Sequence, residues 1–132
     1  MALPRPRAET VTPERMANAG LRTFFRIAER WRMSVEEQLT LLGAPARSTY
    51  FKWKKEGAAS LPRDVLERIS YVLGIYKALQ ILVPDEDAAD AWVRRPNDAA
   101  PFGGRSALDR MLSGSVADLY EVRRYLDAER GI

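Results

Sequence analysis

Cysteine and histidine are both absent from this chain of 132 residues. Without them there are no thiolate nucleophiles, imidazole bases, disulfides or common zinc ligand sets, which excludes most familiar enzyme mechanisms. Long hydrophobic runs are lacking too, so no segment reads as a membrane span. The opening Met1-Ala-Leu-Pro-Arg-Pro-Arg7 has no apolar stretch of the kind a signal peptide needs, and a cytoplasmic protein is expected. Alternating apolar and polar runs long enough for strands are also missing. What is present is 46% apolar and 30% charged residues, enough for one ordinary domain or two small ones sharing a core.

The net charge of +3 is unevenly spread. Residues 1–84 carry 14 Lys or Arg against 8 acids, and residues 85–132 carry 7 against 10. A basic first half suits a polyanion and an acidic second half suits a basic protein surface, although random partition of surface charge gives the same imbalance.

Helical periodicity runs through nearly the whole chain, so the fold class is all-α. Thr12-Pro13 reads as an N-cap with proline at the first helical position, ahead of the stripe Ala17, Leu21, Phe24, Ala28 and Trp31, with Phe25 and Ile27 widening it. Ser34-Val-Glu-Glu37 matches a capping box that opens a short helix carrying Leu39 and Leu42, and Gly43 stops it. A third helix is expected over 46–56, ended by Gly57. Ser60-Leu-Pro62 opens a long segment with Val65, Leu66, Ile69, Val72, Leu73, Tyr76, Leu79, Ile81 and Leu82, closed by Pro84. It reads as one helix bent at Gly74. A helix over 85–95 has acids at its start and arginines at its end, matching the macrodipole. A turn-rich loop follows at 96–104, then a short helix capped by Ser106. Last comes a helix opened by Ser115-Val-Ala-Asp118, which resembles a second capping box, and ending near Gly131.

The two short helices at 34–56, joined by Gly43-Ala-Pro45, have the size and spacing of a helix-turn-helix. In that motif Arg47, Ser48, Thr49 and Lys52 sit where base edges are read, while Tyr50 and Trp53 anchor the opposite face. Lys54, Lys55 and Arg63 then lie along the duplex backbone, where cations gain affinity by releasing counterions. A helical hairpin with a solvated basic face is the plainer alternative. Tyr50 and Trp53 also suit base stacking, but core packing accounts better for their helical spacing. The Gly103-Gly104 loop with Arg105 is weakly suggestive of a phosphate cradle, and loop geometry explains the glycines better. Asp85, Glu86, Asp87 and Asp90 lack the pattern of a calcium loop and read as acids at a helix start. Asp118 and Glu121, one turn apart, read as solvated. No metal site, cofactor or catalytic set is expected, so the protein is not expected to be an enzyme.

The stretch from Trp92 through Arg95-Pro-Asn97, Pro101-Phe-Gly-Gly-Arg-Ser-Ala-Leu108, Met111-Leu-Ser-Gly114 and the helix over 116–130 resembles the toxin-binding domain of Xre/MbcA/ParS antitoxins. Residues 34–82 resemble the Xre-type helix-turn-helix that commonly precedes it, although Trp53-Lys-Lys-Glu-Gly57 departs from the Trp-Glu-x-Gly frequent in such domains. The resemblance implies an arm at 1–12, a DNA-binding domain at 13–83 and a toxin-binding domain at 84–132. It implies a type II antitoxin that blocks the active site of a RES-type toxin, which consumes NAD or transfers ADP-ribose from it. The antitoxin is also expected to repress its own operon by binding promoter DNA.

Toxin contacts are expected at Phe102, Gly103, Gly104, Arg105, Tyr120, Glu121, Arg124, Tyr125, Arg130 and Ile132. The last helix is expected to pack its apolar face on the 106–112 helix and turn both tyrosines outward. Acids at 118, 121, 127 and 129 would complement a cationic cleft, while Arg123, Arg124 and Arg130 suit either toxin carboxylates or mimicry of the nicotinamide ring. A homodimer is expected because one small helix-turn-helix buries little surface on an operator, with Tyr71, Tyr76 and Leu79 as the candidate seam. A stand-alone regulator sensing a small ligand at Gly103-Gly104 is the alternative function.

Overall fold

A computed structural model describes residues 12–132, so the arm expected at 1–12 lies, but for Thr12, outside the described residues. Seven helices follow in order: α1 Pro13–Arg30, α2 Val35–Leu41, α3 Arg47–Glu56, α4 Arg63–Leu82, α5 Glu86–Trp92, α6 Ala107–Met111 and α7 Val116–Glu129. Among the described residues no strand forms, and one isolated antiparallel bridge joins Pro96 to Ser106.

The caps work largely as their sequences dictate. The Thr12 hydroxyl accepts from the Arg15 amide, and Ser34 and Glu37 form the reciprocal capping box. Ser106 and Asp109 form a second box at α6. The box expected at Ser115 is incomplete: the Ser115 hydroxyl accepts from Ala117, but the Asp118 carboxylate turns away to receive Arg110 Nε at 3.1 Å. Asp118 is therefore a half-buried tie between α6 and α7 rather than a solvated acid.

The α1 stripe of Ala17, Leu21, Phe24, Ala28 and Trp31 is buried throughout. It packs on α4, which runs unbroken for 20 residues through Gly74. Gly74 is explained by a neighbour, because a Cβ there would lie 1.6 Å from Nη1 of Arg123 on α7. The glycine thus admits the guanidinium against the α4 backbone. Helix α7, whose Leu119, Val122 and Leu126 are buried, packs on α6 as expected and more extensively on α4.

Helix α4 is shared, packing on α1, α5 and α7. Leu79 is buried within this core, Tyr76 packs on Trp31 at 6.2 Å and Tyr71 on Tyr120 at 5.9 Å. The surface expected as a dimer seam is thus largely taken up inside one chain.

Helix α5 is shorter than expected, ending at Trp92. Its following arginine caps a different helix: Arg94 donates to the carbonyls of Trp31 at 3.1 Å and Arg32 at 2.9 Å and pairs with Glu37 at 3.3 Å. Those carbonyls belong to the C-cap residue of α1 and the residue after it. The α5 acids have structural partners as well. Asp85 caps the helix, and Glu86 and Asp90 both hold Arg30 of α1. The Asp90 hydrogen bond is the main reason the Arg30 pKa is raised.

Candidate functional site

Two surfaces carry the residues singled out by the sequence. The first is α3. Gln38 of α2 and Tyr50 of α3 are both buried, and the Tyr50 hydroxyl donates to Gln38 Oε1 at 2.6 Å while Gln38 Nε2 donates to the Met33 carbonyl at 3.1 Å. This chain fixes the angle between the two helices of the motif. Burial raises the Tyr50 pKa, so the phenol remains a donor. Tyr50 is therefore core, as its spacing indicated. Trp53, half-buried, walls an open cleft of about 450 Å³ with Glu14, Asn18 and Glu56. Lys52 lines it too, so the cleft holds two carboxylates and one ammonium.

With Tyr50 inward, helical spacing puts Ser48, Phe51, Lys52 and Lys55 on the outward face, and all four are exposed. Arg47 stands at its edge, paired with Glu36 and with its guanidinium 5.8 Å from the Phe51 ring centroid. Thr49 is half-buried beside the Trp53 cleft. Lys54 turns toward α1, its Nζ 5.9 Å from the centroid of Phe25. It shares a groove there with Lys55 and Arg22, which carries the basic surface from α3 onto α1. Ala46 provides no side-chain cap to α3, leaving the first-turn amides for an incoming acceptor. Arg63 is exposed at the start of α4.

Gly57 has φ +79° and ends α3. A Cβ at this position would meet Asn18 Oδ1 at 2.2 Å, an atom engaged in accepting the Ala58 amide at 2.9 Å. Phe51 and Arg22 are the surface residues that sequence analysis missed. Phe51 was hidden by its apolar character, which reads as core, and Arg22 by belonging to a different helix.

The second surface is the exposed side of α7 and its approach loop. Tyr120 and Arg124 are exposed, Glu121 is half-buried and 4.0 Å from Arg124, and Ile132 is 74% exposed. Other expected contacts turn inward. Phe102 is buried, and Tyr125 is half-buried, stacked on Trp92 at 6.4 Å and edge-on to Phe102 at 5.1 Å. Tyr125 therefore completes the core, contrary to the outward orientation expected of it, because residue 125 falls nearer to Leu126 and Val122 around the helix than residue 120 does to either. Arg130 and Arg123 both pair with Asp127, so the acidic face expected at 118, 121, 127 and 129 is partly neutralised within the chain.

The loop glycines have positive φ, 58° at Gly103 and 89° at Gly104. The Gly103 amide donates to Ala99, Gly104 to Asn97 and Arg105 to Phe102, which leaves no amide of the three for a phosphate. Loop geometry is their role. Gly103 and Gly104 are nonetheless exposed, and Arg105 is exposed with a long 3.8 Å pair to Asp109. Among the described residues no helix is long and apolar enough to cross a membrane.

Comparison with known proteins agrees with this two-part organisation. The model for the antitoxin Xre-like helix-turn-helix domain matches residues 12–74, and that for the antitoxin Xre/MbcA/ParS C-terminal toxin-binding domain matches residues 78–131. The two matches meet inside α4, the helix that both halves pack against. The chain is also 59% identical over 113 residues to uncharacterized protein y4oB of Sinorhizobium fredii, covering 86% of this chain and 85% of that protein. An all-α fold, a helix-turn-helix with an outward basic helix and a C-terminal toxin-binding domain place this chain in the Xre/MbcA/ParS antitoxin family.

Proposed function

We propose that the protein neutralises a RES-type toxin by covering its NAD-binding active site, and represses its own operon by binding promoter DNA as a homodimer. The observation that best supports the DNA half is the outward face of α3, where Lys52 and Lys55 flank Ser48 and Phe51 while Tyr50 locks the helix from behind. Support for the toxin half comes from Tyr120 and Arg124, exposed on a helix whose opposite side is firmly packed. Tyrosine and arginine are favoured anchors of protein interfaces. The dimer contact is expected outside Leu79 and Tyr76, on surface that the monomer leaves open.

DNA binding is tested by titrating a promoter duplex over a range of salt. Lys52→Ala with Lys55→Ala should weaken binding and reduce the slope of log K against log salt by roughly 0.9 for each phosphate no longer neutralised. Lys54→Ala should have the smaller effect because its ammonium rests near Phe25. An unchanged slope in the double variant would contradict the assignment. The toxin half is tested by adding the purified protein to a RES-type toxin and following NAD: consumption should stop at stoichiometric antitoxin, and persist if the assignment is mistaken.

A further inference from the structure

We propose that Phe51 is a base-reading residue whose ring meets the 5-methyl group of a thymine in the major groove, beside a guanine held by Arg47. This rests on the DNA binding proposed above. Phe51 is 46% exposed, whereas Tyr50, its neighbour in sequence, is completely buried. Its ring is edge-on to Tyr50 with centroids 5.0 Å apart, and Tyr50 is in turn fixed by Gln38. An outward aromatic is thus seated on a rigid base, among cations, where it adds little to the core.

The surroundings select the occupant. Arg47 and Lys55 stand one helical turn before and after Phe51, and Lys52 is exposed on the same outward side, a charge pattern that suits a phosphate-lined groove. Within that groove the thymine methyl is the one apolar group that a base edge offers. The Arg47 fork matches the O6 and N7 acceptors of guanine. Arg47 and Phe51 stand one helical turn, about 5.4 Å, apart, and base pairs are stacked about 3.4 Å apart, so the guanine and the thymine fall on neighbouring base pairs. Glu36, which pairs with Arg47, is largely exposed, as is Arg47 itself. Such a pair is weak and gives up the guanidinium readily.

The test replaces thymines one at a time by deoxyuridine, which removes only the methyl group, in a duplex covering the region upstream of the protein's own gene. Full-length protein should lose about 4-fold in affinity at one thymine of each half-site, the worth of one buried methyl group. Phe51→Ala should be indifferent to that replacement, and Phe51→Leu should keep part of the sensitivity, with circular dichroism confirming that both remain helical. If no replacement matters, or if Phe51→Ala responds as the natural protein does, the proposal is overturned while DNA binding stands. Loss of dimerisation in Phe51→Ala with the thymine response intact would assign the ring to a protein contact instead. Failure of the natural protein to bind the duplex even at low salt would overturn both this proposal and the DNA-binding function beneath it.

Discussion

Burying a phenol and a carboxamide side by side is stable only when each satisfies the other, and Tyr50 and Gln38 do so at 2.6 Å. Tyr50→Phe would leave Gln38 Oε1 buried without a donor, and should cost about 1–3 kcal/mol in equilibrium urea unfolding. The pH dependence has a definite sign. Burial raises the folded pKa of Tyr50, so its contribution is fully present below the ordinary tyrosine value and is lost as pH climbs through that value toward the folded one. Tyr71 acts in the same direction, through burial first and then the nearby Glu67. Stability should hold steady to about pH 9 and fall beyond about pH 10, and Tyr50→Phe should make that fall shallower. A steeper fall in the variant would contradict the assignment. Tyr50 was legible from sequence because its position on the helical stripe marks it as core. Gln38 was not, since a glutamine among leucines becomes interpretable only once its buried partner is known.

At the scale of elements, the α4–α7 pair is set by one small residue. Intrinsic helix propensity favours alanine over glycine by about 1 kcal/mol, so Gly74→Ala should stabilise an isolated α4. In the folded chain the new methyl group displaces the Arg123 guanidinium, which also holds Asp127 at 3.0 Å. Gly74→Ala should therefore gain little or nothing in the natural chain, and recover the gain of about 1 kcal/mol once Arg123→Ala has cleared the space. Thermal unfolding of the two single variants and the double variant checks this, and equal effects of Gly74→Ala in both backgrounds would contradict it.

The seven helices were legible from their caps and stripes because those signals are local: Thr12, Ser34, Ser106 and Gly57 each act within one turn. The misreadings came where a side chain serves a distant element. Asp118 looked like a capping-box partner and binds Arg110, Arg94 looked like the end of its own helix and caps α1, and Tyr125 looked like an outward anchor and stacks on Trp92. The basic face of α3 was legible as a cluster, but which lysines share it depended on where Phe25 stands.

Over the whole molecule, the DNA-facing and toxin-facing halves are joined through α4 and through side chains that cross between them. Arg94 fastens the start of the 93–105 loop to the end of α1. Arg68, buried on α4, reaches Asp64 at 3.0 Å and the Gly114 carbonyl at 2.9 Å. The chain should consequently unfold in one transition, with amide exchange in α1 and α7 reporting the same opening free energy. Arg94→Ala should lower both by about 1 kcal/mol, a modest loss because the side chain is partly exposed. Two separate transitions would contradict a shared core.

The central claim is that one folded chain carries two separable surfaces, α3 for DNA and α7 for a toxin. Growth of cells expressing the cognate toxin, with antitoxin variants supplied from an unrelated promoter, tests it most directly. Tyr120→Ala with Arg124→Ala should fail to restore growth while still binding promoter DNA, and Lys52→Ala with Lys55→Ala should restore growth fully while binding promoter DNA more weakly. Full rescue by the α7 variant, or loss of rescue in a correctly folded α3 variant, would contradict the account.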